Sequence, residues 1–199
     1  MTKEQLLQSL EDSGFPKKIR RAFERVDREL FVPEDQKKFA WEDTALPIGF
    51  GQTISQPQTI ASMLLWLNLQ DGQKALEVGC GSGYVLALLA EIVKNGEIYG
   101  TEIVRELSEL SKKRLTSTDN VAVFYTPDTL GLPERAPFDR ILVSAAAEKL
   151  PEKLLAQLKD EGVMVCPVGN SIIRAEKKGD KIKIQEFPGF AFVPLMTES

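Results

Sequence analysis

Residues 75–84 read ALEVGCGSGY, a short apolar run that contains one acid, Glu77, and ends in three alternating glycines. An apolar stretch from Val85 to Val93 follows, with the spacing of a helix. The sequence predicts strand, tight glycine turn, helix. Such a turn lets a ligand approach bare backbone, and the helix start offers unpaired N–H groups. The spacing at Gly79, Gly81 and Gly83 is G-x-G-x-G, one residue tighter than the G-x-G-x-x-G that cradles a dinucleotide pyrophosphate. That difference favours a nucleoside without phosphates, of which S-adenosylmethionine is an example. The alternative is a tight βα connection with no ligand.

Downstream of the turn, strand and helix patterns alternate. Strands are expected at about 74–78, 97–101, 121–125, 139–144 and 162–167, and helices at 83–94, 103–116 and 151–159. Alternation of this kind implies an α/β fold, a mostly parallel sheet with helices on both faces. The last third changes character. Residues 170–176 and 182–187 read as a hairpin turning at Gly179-Asp180, and 189–195 as one more short strand. Upstream, helices are expected over 3–12, from Pro16 to about Leu30, and from Pro57, with Ser55 near the cap of the third. Residues 32–52 lack sustained periodicity and read as a long ordered loop.

The 199 residues suit one domain. It divides into N-terminal helices and an acceptor-side loop (1–70), a cofactor-binding core (71–169) and C-terminal antiparallel strands (170–199). A net charge of −4 does not suggest a general nucleic-acid binder. The polar start MTKEQLLQSLEDSG does not read as a signal peptide, and no apolar run would span a bilayer. The expectation is a cytoplasmic, monomeric protein without nucleic-acid or membrane partners. Cys80 and Cys166 read as buried thiols rather than as a disulfide or metal ligands. The chain contains no histidine, which removes Ser-His-Asp and Cys-His catalysis and the commonest zinc ligand set.

Open α/β sheets bind ligands beyond the carboxyl ends of their strands. Glu102 ends the second strand there, where an acid can accept both hydroxyls of a ribose; a plain strand-end carboxylate is the alternative. Asp128, after the third strand, is placed either to meet an adenine edge or to form a turn after Pro127. Glu77 either braces the glycine loop or approaches the ligand. Ser55 either caps a helix or belongs to the acceptor side.

With these residues in place, the chain resembles the protein-L-isoaspartate O-methyltransferase family over nearly its whole length. The resemblance runs through RVDRELFVPE (25–34), LPIGFGQTISQP (46–57), LEVGCGSGY (76–84), APFDRILVSAAA (136–147), LLAQLKDEGVMVCPVG (154–169) and FVPL (192–195). It implies a Rossmann-like, doubly wound, seven-stranded methyltransferase sheet binding S-adenosylmethionine, with S-adenosylhomocysteine as product. It also implies methylation of the free α-carboxylate of L-isoaspartyl residues in damaged peptides and proteins. The ester then closes to a succinimide, whose hydrolysis returns part of the material to aspartate.

By position, the resemblance implies cofactor roles for Glu77, Gly79, Gly81 and Glu102, and Gln52, Thr53, Ile54, Gly83 and Asp128 are expected to complete the cofactor site. Ser55 becomes the active-site hydroxyl beside the methyl group and the acceptor carboxylate, and Val193 and Leu195 help hold the peptide. The chain departs from the pattern at Thr126-Pro127-Asp128, where the family usually has G-D-G. It also departs at Gln58 and Ala191, where many members carry an aromatic residue and an arginine. Two other readings are a methyltransferase acting on another acceptor such as RNA, and a non-catalytic relative that binds cofactor or a protein.

Overall fold

The computed structural model describes residues 1–196. Helix α1 (Lys3–Asp12) opens on a capping box: the Thr2 hydroxyl accepts from the Gln5 amide while the Gln5 side chain accepts from the Thr2 N–H. Helix α2 (Lys17–Arg25) stops short of the expected Leu30. Val26 is extended, and the Asp27 carboxylate accepts the Glu29 N–H to start a separate 3-10 turn over Arg28–Phe31. Leu30, expected on the buried face, is 62% exposed, because the break turns Phe31 inward instead.

The expected loop over 32–52 is largely structured. A 3-10 helix covers Glu34–Phe39, and strands β1 (Leu46–Gly49) and β2 (Gln52–Ile54) pair as an antiparallel hairpin. Leu46 and Ile48 are buried while Pro47 and Gly49 are exposed, which is strand alternation over too few residues to stand out. Helix α3 (Pro57–Leu67) begins on its proline as expected.

The main sheet has seven strands: β3 (Lys74–Val78), β4 (Glu97–Glu102), β5 (Val121–Tyr125), β6 (Phe138–Val143), β7 (Leu158–Val168), β8 (Ser171–Lys178) and β9 (Lys181–Pro188). Their spatial order is β5-β4-β3-β6-β7-β8-β9. The strands from β5 to β7 run parallel, and β8 and β9 add antiparallel, turning at the predicted Gly179-Asp180. Residues 189–195 form no strand; Pro194 makes only an isolated bridge with Ala146.

Alternate strand residues face two cores. Ala75, Ile98, Val123, Leu142 and Val165 join the cluster that includes the apolar faces of α1, α2, α3, α4 (Tyr84–Ile92) and α5 (Arg105–Arg114). Leu76, Tyr99, Ile141 and Met164 join the other, covered by Leu132, Leu154 and Leu158. The helix expected at 151–159 is a single turn, α6 (Glu152–Leu155). Tertiary demand ends it. Gln157 is buried, donates to the Leu130 and Lys153 carbonyls and accepts the Leu132 N–H, which ties the 130–132 segment to the start of β7. Among the described residues, no helix is long and apolar enough to cross a membrane.

Candidate active site

The order of the strands reverses between β3 and β6. From β3 the chain moves outward through β4 to β5, then returns to the far side of β3. A crevice opens beyond the strand ends at such a switch point. Four connections meet there: the glycine loop after β3, Glu102 at the end of β4, Thr126–Leu130 after β5, and Ser144 after β6.

The glycine loop is held by backbone. The N–H groups of Gly79 and Cys80 both donate to the Thr101 carbonyl, at 2.9 and 3.0 Å. Gly79 and Gly81 have φ of +76° and +51°, which side chains rarely tolerate. Gly81 also passes under the β1–β2 hairpin: a Cβ there would stand 3.0 Å from Ile48 Cδ1. Gly83 has a different task. It caps α4 at φ +90°, and a Cβ would meet Leu115 and Ser111 of the next helical segment. Gly83 therefore serves packing behind the loop and is absent from the crevice lining.

Bracing of the loop, one of the two roles expected of Glu77, falls to the other acid. Glu102 braces the loop: its Oε2 accepts the Gly81 N–H at 2.7 Å, and its Oε1 accepts those of Ile103 and Val104 at 2.9 Å each. Three donors leave capacity for a further partner on the crevice side. Glu77 is 1% exposed and turns toward β6 instead. Its Oε1 accepts the Ser144 hydroxyl at 2.7 Å, while Oε2 is buried and has no partner among the described residues. Burial, relieved only in part by Ser144 and reinforced by the nearby Glu102, pushes the Glu77 carboxyl up to about 8.

Three adjoining cavities fill the crevice. The main one, about 400 Å³, is lined by Gln52, Gly79, Gly81, Glu102, Ile103 and the Thr126–Leu130 loop, with Val193 and Leu195 opposite. Asp128 lies on this lining as an exposed carboxylate. A second cavity of about 630 Å³ lies between the start of α3 and residues 189–193, with Ser55 in its wall. A small third cavity joins them beside Ile54, Ser55, Glu77 and Gly81. Thr53 and Ser144 line all three, and Val193 lines the two large ones. Val193 and Leu195 are fixed by hydrogen bonds to Ala146, the Ala146 N–H donating to Val193 and the Leu195 N–H donating to Ala146.

Ser55 is not a helix cap. Gln56 takes the cap position without a side-chain bond, and Asp43 serves the helix start from a distance. Asp43 Oδ1 accepts the Gln58 N–H and Oδ2 accepts the Gln56 amide, both at 2.9 Å. Ser55 is held through its carbonyl. Arg28, fully buried, donates to the carbonyls of Ala40, Glu42, Thr44 and Ser55 at 2.8–3.1 Å, with its guanidinium 5.8 Å from the Tyr84 ring centroid. Burial lowers the Arg28 pKa to about 10. Arg28, Asp43 and Ser144 were not among the residues singled out from the sequence. Ser144 carried a usable signal, being the first polar residue after the apolar strand ILV, at a strand's carboxyl end. Arg28 and Asp43 carried none, because their partners are 12 to 27 and 13 to 15 residues away.

Known proteins resemble this chain along its whole length. The family described as protein-L-isoaspartate(D-aspartate) O-methyltransferase matches residues 1–199. A protein-L-isoaspartate O-methyltransferase of Dictyoglomus thermophilum is 44% identical over 97% of this chain and 90% of its own length. One from Ignicoccus hospitalis is 42% identical, covering 98% of both chains. A solved protein-L-isoaspartate O-methyltransferase superposes with a TM-score of 0.90 at 26% identity over 98% of this chain, which spans 66% of that longer one. A Plasmodium falciparum structure of the same description, in complex with S-adenosyl-L-homocysteine, gives 0.84 at 25% identity, covering 98% of this chain and 99% of its own. Sequence likeness along the whole chain, a seven-stranded sheet with its crevice at the switch point, and these superpositions lead to one assignment: the chain belongs to the protein-L-isoaspartate(D-aspartate) O-methyltransferase family.

Proposed function

We propose that this protein transfers the methyl group of S-adenosylmethionine to the free α-carboxylate of L-isoaspartyl residues in damaged peptides and proteins. The observation that carries the reading is the pair of large cavities that meet at Thr53, Ser144 and Val193. One has the features of a nucleoside site, and the other brings Ser55 to the junction.

The cofactor supplies an electrophilic methyl group on a sulfonium and needs no metal. The residues present suit it. Bare backbone at Gly79 and Gly81 admits close approach, Glu102 has acceptor capacity for ribose hydroxyls, and Ile103 and Pro127 offer apolar walls for a base. Pro127 has no N–H to donate, so Thr126, Asp128 and Thr129 are the polar side chains this loop can present. Gln52, Thr53 and Ile54 close the site from the hairpin, and Glu77 acts on it through Ser144.

The acceptor is ionised at neutral pH, so no general base is required and the lack of histidine costs nothing. The protein's work is to hold carboxylate and methyl group in line and to exclude water. Ser55 donates its hydroxyl proton to one carboxylate oxygen and orients the other, without becoming a nucleophile. Val193 and Leu195, fixed on Ala146, hold the peptide against the junction. Segments 1–70 and 189–195 thus supply most of the acceptor side, and 71–169 most of the cofactor side.

The test is methyl transfer from labelled S-adenosylmethionine to an isoaspartyl peptide and to its aspartyl twin. Label is expected in the first alone, and at a much lower rate with Ser55→Ala. Equal labelling of both peptides, or of neither, would refute the reading.

A further inference from the structure

We propose that the cavity of about 630 Å³ beside Ser55 is a subsite for an uncharged side chain flanking the acceptor residue, so that this protein selects against isoaspartyl peptides bearing a charge at that position. The inference rests on the function proposed above and adds a substrate preference to it.

The lining is the primary observation. Gln58, Thr59 and Ser62 form one wall, and Phe190, Ala191 and Phe192 the other. Among the described residues, none of those lining this cavity is ionisable. The neighbouring main cavity is different, with Glu102, Asp128, Lys149, Glu152 and Lys153 on its surface.

The charges behind the wall offer an incoming ion no partner. Asp43 is engaged by the Gln58 N–H and the Gln56 amide, and Arg28 by four backbone carbonyls. Behind Ser144, the Glu77 carboxyl is buried and its raised pKa keeps it mostly protonated at neutral pH.

The polar groups of the wall suit neutral ligands. Gln58 donates its amide to the Ser9 hydroxyl at 3.0 Å, which orients its carbonyl oxygen as an acceptor. The Ser62 hydroxyl donates to the Gln58 carbonyl of the main chain. A glutamine, threonine or apolar residue entering this space exchanges water for amide, hydroxyl and aromatic contacts. A lysine or glutamate loses hydration with no opposite charge to meet it, which is the costlier exchange. Both signs are disfavoured, which distinguishes this arrangement from electrostatic steering by one sign.

The test uses isoaspartyl peptides in which each flanking residue is in turn Gln, Lys or Glu. At one flanking position, both Lys and Glu are expected to lower kcat/KM about tenfold relative to Gln. Ala191→Asp is then expected to raise the Lys-to-Glu ratio at that position, and Ala191→Lys to lower it. The same series is read as peptide affinity in the presence of S-adenosylhomocysteine, which needs no turnover. Equivalence of Gln, Lys and Glu at every position would overturn the proposal, as would a ratio that neither Ala191 variant moves. Failure to methylate even the Gln-flanked peptide would instead refute the proposed function, and the affinity series would still report the charge preference.

Discussion

Replacing Arg28 by methionine tests how the acceptor side is held. The two terminal nitrogens of Arg28 reach four carbonyls, Ala40 at 2.8 Å, Glu42 at 3.1 Å, Thr44 at 3.1 Å and Ser55 at 3.0 Å. Hydrogen bonds from a charged donor contribute about 1.5–3 kcal/mol each in net terms. Burying the guanidinium itself costs several kcal/mol, and the fall of its pKa to about 10 is the sign of that cost. The two effects oppose each other, and each carbonyl left buried without a donor costs about 1–3 kcal/mol, so the net loss is about 3–5 kcal/mol. For a chain of this size, ~1 kcal/mol corresponds to about 2–4 °C, so the melting temperature should fall by about 10 °C. Urea unfolding gives the free energy directly, and Arg28→Lys, which keeps the charge but not the planar fork, should fall between parent and Met variant. Thr44 and Ser55 flank the β1–β2 hairpin, so the variant should also raise KM for peptide more than it weakens S-adenosylhomocysteine binding. A Met variant within about 1 kcal/mol of the parent would show that the four carbonyls do not depend on the guanidinium.

Two further outcomes concern the acids. The Glu77 carboxyl stands at about 8 in the folded protein against an ordinary 4.5, with burial as the main cause. The folded state therefore keeps a proton that the unfolded chain releases above 4.5. Stability should fall as the pH rises from about 4.5 toward about 8, by up to ~1.4 kcal/mol per pH unit, and Glu77→Gln should flatten the profile of unfolding free energy against pH. Glu102→Gln replaces a charged acceptor of three N–H groups, including that of Gly81, by one that is neutral and half donor. It should weaken S-adenosylhomocysteine binding at least about tenfold in calorimetry, on the scale of one charged hydrogen bond.

The sheet was legible because its strands are apolar runs of the right length separated by helices, and the glycine spacing marks its switch point. Where the reading failed, distant partners overrode local pattern. The segment 151–159 has a helical rhythm, but Gln157 is required by Leu130 and Leu132 and the helix ends after one turn. The β1–β2 hairpin turns through Gly49, Phe50 and Gly51, all at positive φ, and no standard turn signature announces a phenylalanine at +55°. At the site, the spacing of Glu102 from the glycines placed it at the crevice. Nothing local showed that it, rather than Glu77, would brace the loop. That depends on which way each carboxylate leaves its strand end, and for Glu77 on a serine 67 residues away.

On the function proposed above, the two adjoining cavities carry out the first step of isoaspartyl repair. The most direct measurement follows an isoaspartyl peptide by chromatography during prolonged incubation with the protein and S-adenosylmethionine, and resolves isoaspartyl, methyl ester, succinimide and aspartyl forms. The isoaspartyl form is expected to decline through ester and succinimide while the aspartyl form accumulates, only when the cofactor is present. An isoaspartyl peptide that stays unchanged with cofactor present, or an aspartyl twin that is esterified as fast, would contradict it.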